Sequence, residues 1–350
     1  MSILKILLFP ISILYGLITY LRNKFYDIGL FKVTEFDMPI ISVGNLSMGG
    51  TGKTPHIEYL IRLLSKNYKL ATLSRGYGRK TKGFFIADGL TNAQDIGDEP
   101  MQFHQKFNNV TVAVDANRVE GVNEILSADV ETEVILLDDA FQHRRIKPGF
   151  QILLTPFNDL FTDDYVFPSG RLREFKTGKS RADVVVVTKC PEEISKQKSL
   201  DITEKLGLDG SQELFFSKII YGDVVFGWDK ILDFDDLIEY KVLLVTGIAN
   251  PTSLINHLKS YDITFKHLKF ADHYNFSVND ILKINSDFVN LGSGKKIILT
   301  TEKDYVRLST TSIHKSNLMY LPISIGFLNG DKVKLDKKIT DYVKQNKRDS

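Results

Sequence analysis

The chain has 350 residues, of which 43% are hydrophobic and 25% charged, and its formal net charge is +2 at pH 7. The length indicates one large domain or two of ordinary size, and the composition is that of a folded globular protein. It argues against a disordered chain, a polytopic membrane protein and a protein that coats nucleic acid through bulk positive charge. The single cysteine, Cys190, excludes an internal disulfide framework and a Cys-rich zinc site, and it favours a reducing compartment.

The chain begins with an apolar segment in which Ile6 to Leu21 carry no charge, and Arg22 and Lys24 follow directly. Because a transmembrane helix needs about 20 such residues, the segment is marginal for spanning a bilayer. The run is not followed by a small-residue cleavage site, so we do not expect a cleaved signal peptide. Basic residues behind the segment favour a cytoplasmic location for the rest of the chain. We therefore predict a membrane-associated helix over residues 1–30, with a buried core helix as the alternative.

The next part of the chain alternates β-branched runs with helical patterns. Pro39–Gly44 leads into a glycine cluster, and His56–Ser65 has helical apolar spacing. Further buried strands are predicted at Leu70–Ser74, Val110–Val114, Val134–Leu137, Gln151–Leu154 and Asp183–Thr188, with a helix at Arg118–Leu126. This alternation is typical of βαβ units in a mostly parallel sheet.

A second α/β cycle follows farther along the chain. It starts at Lys241–Thr246 and continues through Pro251–Lys259, Ile263–Phe270 and Lys296–Thr300. We predict two α/β domains: a mostly parallel sheet domain over residues 31–215 and a smaller one over residues 241–340. The acidic and aromatic stretch 216–240 is predicted as the linker between them.

The sharpest chemical motif lies between the first strand and the first helix of the larger domain. It consists of Ser47, Met48, Gly49, Gly50, Thr51, Gly52, Lys53 and Thr54. Glycines let backbone N–H groups approach a polyphosphate, and the helix N-terminus adds partial positive charge. Lys53 would reach the β- and γ-phosphates, and the Thr54 hydroxyl would ligate Mg²⁺. Ser47 replaces the usual opening glycine, but the strand–loop–helix context favours a nucleotide-binding phosphate loop over a glycine-rich turn, which gives the larger domain the character of a P-loop NTPase.

Two carboxylates, Asp138 and Asp139, end a buried strand. Carboxylates at this end of a parallel sheet, beside a phosphate loop, are where nucleotide enzymes hold Mg²⁺. The alternative is a solvated strand-end turn. Gln142, His143 and two arginines come next. They suit an anionic or polyhydroxylated acceptor, because arginine can bind phosphate through two hydrogen bonds.

Four more polar clusters are predicted at strand ends. They are Ser74–Arg79, Gly97–Pro100 with Asp98 and Glu99, Gly170–Glu174, and Asp272–His273. Each has an ordinary interpretation as a solvated turn, a helix start or a surface pair. The occurrence of all four clusters in one chain favours a functional role for them over these ordinary interpretations.

These motifs resemble a known family. Seven motifs occur in one order between Phe31 and Arg307: SVGNLSMGGTGKTP, LSRGYGRK, GDEPMQF, DDAFQHRRI, GRLRE, TGIANP and TEKD. The combination closely resembles the tetraacyldisaccharide 4'-kinase family of lipid A biosynthesis, in which the opening glycine of the loop is also a small hydroxyl residue. The resemblance implies transfer of the ATP γ-phosphate to the 4'-hydroxyl of a tetraacyldisaccharide 1-phosphate, giving lipid IV-A.

The resemblance also implies roles for single residues. Asp98 matches the proposed base, His273 its partner and Lys53 a further catalytic residue, while Asp138, Thr54 and Glu99 match the metal site. Residues at the sugar-phosphate head group or the catalytic centre are implied to be Arg75, Tyr77, Arg118, Asp139, Gln142, His143, Arg173 and Glu174. The chemistry agrees, because a carboxylate can accept the proton of a weakly nucleophilic sugar hydroxyl and a histidine can orient that carboxylate. Since Asp98 and His273 lie in different predicted domains, closure around substrate would bring them together.

The resulting expectation is a monomeric enzyme at the cytoplasmic (inner) membrane, with its catalytic domains on the cytoplasmic side. It would use ATP, Mg²⁺ and a lipid A disaccharide precursor, and bind no nucleic acid. Two alternatives remain: a membrane-associated P-loop ATPase or GTPase switch, and a non-catalytic scaffold that keeps the loop for stability. The sequence Thr188-Lys189-Cys190-Pro191 does not supply the Asn-Lys-x-Asp loop usual in guanine-binding proteins.

Overall fold

The computed structural model describes residues 3–272 and 274–346. Its strands are β1 (Ile40–Asn45), β2 (Leu70–Ser74), β3 (Phe85–Ile86), β4 (Val110–Val114), β5 (Val134–Asp138), β6 (Phe150–Pro156), β7 (Val184–Thr188), β8 (Glu213–Tyr221), β9 (Val224–Gly227), β10 (Ile231–Asp233), β11 (Lys241–Thr246), β12 (Phe265–Lys269), β13 (Lys296–Thr301), β14 (Leu318–Leu321) and β15 (Ile323–Phe327). Its α-helices are α1 (Ile3–Asp27), α2 (Lys53–Leu64), α3 (Ala93–Ile96), α4 (Asp98–Lys106), α5 (Arg118–Ala128), α6 (Lys196–Leu206), α7 (Thr252–Ser260), α8 (Val278–Val289), α9 (Glu302–Leu308) and α10 (Asp331–Gln345).

Two sheets organise these elements. The first has the order β15-β8-β7-β6-β1-β5-β2-β4-β3, and the second has the order β10-β9-β14-β13-β11-β12. The first sheet is parallel except at its edges, where β3 and β15 pair antiparallel to their neighbours. The predicted α/β class with a mostly parallel sheet is confirmed, and the strands predicted from β-branched runs in this sheet lie within two residues of the observed ones.

The centre of the first sheet positions the candidate site. All six residues of β1 are buried, as expected for a parallel strand covered on both faces. On one face α2 packs Ile57 and Leu60 into the cluster that contains Ile41, and on the other face α5 packs Val122 into the cluster that contains Ile135. Both faces are therefore closed by helices, and the ligand-accessible part is the carboxyl end of the strands.

The segment 216–240 differs from the predicted linker. β8 extends through Tyr221 in the first sheet, and β9 and β10 begin the second sheet almost at once. The chain therefore passes between the sheets at Gly222 and Asp223, without a long connection. It returns at Pro322, whose carbonyl accepts a hydrogen bond from Gly222 N at 3.0 Å.

The end of the chain also differs from the predicted boundary of the second domain. β15 pairs with β8 in the first sheet, and α10 packs Leu335 and Ile339 into the core of that sheet. The physical reason is that β8 would otherwise present an open edge, which β15 covers with main-chain hydrogen bonds. The second sheet is thus an insertion between two strands of the first.

Helix α1 lies against the first sheet unit and leaves much of its apolar surface uncovered. Ser12 and Thr19 are buried, whereas Leu7, Leu14 and Ile18 are 68%, 59% and 58% exposed. By length and composition, Lys5–Asp27 is apolar enough to cross a membrane. This pattern favours the predicted membrane-associated helix over a buried core helix.

Candidate active site

The phosphate loop connects β1 to α2, which begins at Lys53. Gly49 and Gly52 have φ values of +115° and +92°, a region that side chains with a β-carbon disfavour. Asn45 Nδ2 donates to Thr51 Oγ1 at 2.8 Å, and Thr188 Oγ1 donates to the Thr51 carbonyl at 2.8 Å. The loop is therefore held by hydrogen bonds from the ends of β1 and β7.

The loop also pairs with the segment Gly170–Glu174. Met48 N donates to the Arg171 carbonyl and Arg173 N donates to the Leu46 carbonyl, both at 2.8 Å. This pairing, which joins residues far apart in the chain, places Arg173 beside the phosphate loop.

A cavity of about 1120 Å³ lies over the carboxyl end of the first sheet. One wall is the phosphate loop from Met48 to Thr54, and another comes from the second sheet unit through residues such as Asn250 and Lys303. Helix α1 contributes Tyr15 and Arg22. The space therefore meets the loop, both sheet units and the N-terminal helix.

Most of the predicted site residues line this cavity. Besides the loop, they are Arg75, Tyr77, Glu99, Arg118, Asp138, Asp139, Gln142, His143 and Arg173. Ser47 and Glu174 are buried, with exposures of 5% and 3%, and Asp98 is engaged with a helix of the second sheet unit. His273 lies outside the described residues.

Asp139 is an ionised carboxylate that pairs with two cations. Its Oδ1 lies 3.6 Å from Lys53 Nζ and 2.8 Å from Arg173 Nη1. Burial acts to raise the pKa of Asp139, but the charges of Lys53 and Arg173 outweigh burial and the pKa is lowered. Asp139 therefore orients Lys53 and Arg173 in this arrangement.

Asp138 has a different environment, one residue away. Register places it beside Val43 at the end of β1, and the residue is 3% exposed. Within residues 3–272 and 274–346, its Oδ1 is buried without a hydrogen-bond partner. Burial, followed by the nearby charge of Glu99, raises the pKa of Asp138 to about 7. A bound cation would relieve both effects.

The residues at this point fit Mg²⁺. The described part of the chain contains no compact group of three or more His, Cys, Asp or Glu side chains that could enclose a metal by themselves. Mg²⁺ is commonly held by one or two carboxylates together with substrate phosphates and water. Asp138, with Thr54 and Glu99 on the same cavity, provides that kind of partial site.

Asp138→Asn is expected to stabilise the metal-free protein at pH 8 by about 1–3 kcal/mol. Folding raises the pKa from 3.8 to about 7, so stability from the neutral carboxyl is complete at low pH and is lost as pH rises through 7. Asparagine stays neutral, so its advantage should shrink toward pH 5. Urea unfolding at both pH values tests this, with the exposed Asp201→Asn as control. A variant that is less stable than the native protein at pH 8 would contradict the buried-carboxylate interpretation.

Arg75, Arg118 and Arg145 form a basic wall of the cavity beside His143. Burial lowers the pKa of Arg118 to about 10, and its Nη2 donates to the Asp138 carbonyl at 3.3 Å. Burial and the charge of Arg118 lower the pKa of His143 to about 4. The backbone N–H of Arg118 donates to His143 Nε2 at 3.3 Å, which places the proton of the neutral imidazole on Nδ1. His143 is thus a neutral donor beside a permanent cation.

Glu174 is held below the cavity surface by three donors. Arg181 Nη2 and Asn23 Nδ2 donate to its carboxylate at 2.7 and 2.6 Å, and Gln142 Nε2 donates at 3.1 Å. Gln142 Nε2 also donates to the Asn45 carbonyl at 2.8 Å. Glu174, predicted at the substrate, therefore supports Gln142 and ties α1 to the site through Asn23.

Comparison with known proteins agrees with this geometry. A sequence model of the tetraacyldisaccharide-1-P 4'-kinases, LpxK, matches residues 4–344. The chain belongs to this family. A tetraacyldisaccharide 4'-kinase of Flavobacterium johnsoniae is 50% identical over 346 residues, covering 99% of each chain. One from Bacteroides thetaiotaomicron is 44% identical over 358 residues, covering 98% of this chain and 94% of the relative.

A solved structure of the LpxK family has the same fold. The crystal structure of LpxK from Aquifex aeolicus, in complex with ATP, superposes with a TM-score of 0.77 at 30% identity. The match covers 97% of this chain and all of the Aquifex aeolicus chain. The resemblance inferred from the motifs is confirmed, and the protein is a kinase of the LpxK family.

The residues of this LpxK-family site that were not predicted from the sequence include three cations. Arg307 and Lys303, both on α9, pair with Asp98 and Glu99, with Lys303 Nζ 3.5 Å from Glu99. Lys189 Nζ donates to the Gly50 carbonyl at 2.6 Å. The backbone of Lys189 itself has a φ of +56°. The motif TEKD marks the start of the helix that carries Lys303 and Arg307, and Thr188-Lys189 marks the end of a strand. No local pattern in the sequence indicates which residues these three cations contact.

Proposed function

We propose that the protein transfers the γ-phosphate of ATP to the 4'-hydroxyl of a tetraacyldisaccharide 1-phosphate and forms lipid IV-A. The observation that carries the proposal is the single continuous cavity that joins the phosphate loop to a basic wall and to α1. A nucleotide switch needs the loop but has no use for an acceptor space of this size beside an apolar helix. The geometry therefore favours transfer to an amphipathic acceptor over hydrolysis.

The two ends of the cavity suit the two substrates. Lys53 and the loop would bind the ATP phosphates, while Arg75, Arg118 and Arg145 on the basic wall would bind the sugar 1-phosphate. Tyr77, which is 74% exposed, would contact the disaccharide. Bound Mg²⁺ would neutralise phosphate charge at Asp138, Thr54 and Glu99.

In the proposed step, the 4'-oxygen forms a bond to the γ-phosphorus as the bond to the bridging oxygen of ADP breaks. The hydroxyl proton passes to Asp98, which starts α4 directly before the cavity-lining Glu99. His273 would orient Asp98. Lys53 stabilises the charge that develops on the transferred phosphoryl group and on ADP.

The reaction is tested by incubating the protein with γ-labelled ATP, Mg²⁺ and a purified tetraacyldisaccharide 1-phosphate. Label at the 4'-position of the lipid is the expected result. Release of free labelled phosphate with no labelled lipid would support the nucleotide-switch alternative. An analogue without the 4'-hydroxyl serves as the matched control, because it keeps the lipid and the 1-phosphate but has no acceptor oxygen.

The proposal places the protein as a monomer at the cytoplasmic membrane, with α1 in the lipid and both sheet units on the cytoplasmic side. The support is the exposed apolar face of α1 together with Arg22 and Lys24 behind it. Tyr15 and Thr19 on the opposite side of the helix line the cavity. The helix would therefore hold the cavity next to the membrane from which the lipid enters.

Replacing Leu7, Leu14 and Ile18 together by Gln is expected to weaken binding to anionic phospholipid vesicles while the protein stays folded. Each replaced side chain is more than half exposed, so its loss removes membrane contact without opening the core. Vesicle cosedimentation and thermal unfolding measure the two effects. The matched control replaces Leu90, Val130 and Ile238, which are exposed elsewhere. Unchanged cosedimentation of the first variant would show that α1 is not the anchor.

A further inference from the structure

Helix α9 of the second sheet unit packs against α4 of the first sheet unit. Hydrogen bonds hold the N-terminal end of α9 in place. Asp304 is fully buried, and its Oδ2 accepts hydrogen bonds from Gly247 N and Thr301 Oγ1, each at 2.8 Å. Thr301 Oγ1 in turn accepts from Asp304 N at 3.1 Å. The first turn of α9 is therefore fixed to the end of β11, and its orientation is that of the second sheet.

Arg307 reaches from this helix to the predicted base. Its Nε and Nη2 both donate to Asp98 Oδ2, at 2.8 and 2.6 Å. Its Nη1 donates to the Tyr274 carbonyl at 3.2 Å and lies 3.7 Å from Asp304 Oδ1. The side chain is 9% exposed. A guanidinium with all three nitrogens engaged has one orientation, so it fixes the position of the carboxylate that it binds.

The far end of the same helix pair is fixed as well. Lys106, the last residue of α4, lies 2.6 Å from Glu302, the first residue of α9. Contacts at both ends set how α4 and α9 lie against each other, and neither helix could slide without breaking one of them. The position of Asp98 is thus determined jointly by the first and second sheet units.

We propose that Arg307 is a positioning residue for phosphoryl transfer. It holds Asp98 where the carboxylate can accept the proton of the acceptor hydroxyl, and it makes that placement depend on the second sheet unit. The inference rests on the proposed role of Asp98 as the base. Arg307 acts through Asp98, since a displacement of about 1 Å at a reacting group can cost about a hundredfold in rate.

The test is a double-mutant cycle on kcat with Asp98→Ala, Arg307→Ala and the double variant. Arg307→Ala is expected to lower kcat by about tenfold to a hundredfold, with the KM for ATP within about twofold of the native value. The double variant should equal Asp98→Ala alone, because no carboxylate remains to position. Arg307→Lys keeps the charge and the stem but not the two convergent bonds, so it should fold normally and still lose about tenfold.

Each outcome separates the two ideas. Native kcat in Asp98→Ala would overturn the base assignment in the proposed function. A large loss in Asp98→Ala with native kcat in both Arg307 variants would overturn the positioning role alone, and so would strictly additive losses. Lys338→Ala is the control, because its ammonium pairs with Glu213 at 2.5 Å and neither residue lines the cavity. Thermal unfolding of every variant distinguishes a fall in kcat from a smaller folded fraction.

Discussion

Lys53→Met is expected to lower kcat by at least about a hundredfold while leaving the fold intact. Lys53 is the first residue of α2, lines the cavity and is oriented by Asp139 at 3.6 Å. Its ammonium would bind the ATP phosphates and stabilise the charge that develops during transfer, so at saturating ATP its loss should appear in kcat. Methionine keeps most of the stem and removes only the ammonium.

The measurement is steady-state transfer to the lipid acceptor at saturating ATP and Mg²⁺. Lys66→Met is the control, since Lys66 is exposed beyond the C-terminal end of the same helix. Thermal unfolding shows whether the variant, in which Asp139 keeps its ion pair with Arg173 but loses the one with Lys53, is still folded. Near-native turnover of Lys53→Met would remove the phosphate-loop assignment, whatever the family membership.

The parts of the site that the sequence predicts are those in which chemistry is local. Ser47–Thr54 is contiguous, so its glycines, its lysine and the strand and helix around it can be read together. Asp138 follows a buried strand, and in a parallel sheet the carboxyl ends of the strands meet at one edge. That rule alone brings Asp138 to the end of β1, as the register with Val43 shows.

The remaining parts depend on contacts between distant segments. Asp98 and Arg307 are 209 positions apart, and no periodicity relates a helix of one sheet to a helix of the other. Glu174 looks like a surface charge in GRLRE, but the structure buries it between Arg181, Asn23 and Gln142. Residues 323–327 fall within the predicted second domain, 241–340, but β15 pairs with β8 of the first sheet, a partner about 100 positions away in the chain.

A second network at the interface of the sheet units governs stability. Lys106 Nζ lies 2.7 Å from Glu58 on α2 and 2.6 Å from Glu302 on α9. The side chains of Glu58 and Glu302 are 1% and 9% exposed. Gln102 also donates to Glu58, at 2.7 Å. Lys106 therefore pairs with two buried carboxylates from different sheet units, and Arg62 also pairs with one of them, Glu58, at 3.1 Å.

The pKa of Glu302 depends on burial and on the opposing charges of Glu58 and Lys106. Burial, followed by the charge of Glu58, raises the pKa of Glu302 to about 7, even though Lys106 acts to lower it. Because folding raises this pKa from 4.5, the stability from a neutral Glu302 is complete below about pH 4.5 and is lost as pH rises through 7. Above neutral pH the carboxylate depends on Lys106.

Lys106→Met is accordingly expected to lower the free energy of unfolding by about 3–5 kcal/mol at pH 8, because it takes the cation away from buried Glu302 and leaves Glu58 with Arg62. The loss should be smaller at pH 5, where Glu302 binds a proton. Adding Glu302→Gln should restore part of the stability at pH 8, since it removes one of the two charges. Urea unfolding by linear extrapolation gives each value, with Lys66→Met as the exposed control. A loss that is independent of pH, or that Glu302→Gln leaves unchanged, would mean that Lys106 stabilises the protein through the packing of its stem and not through its charge.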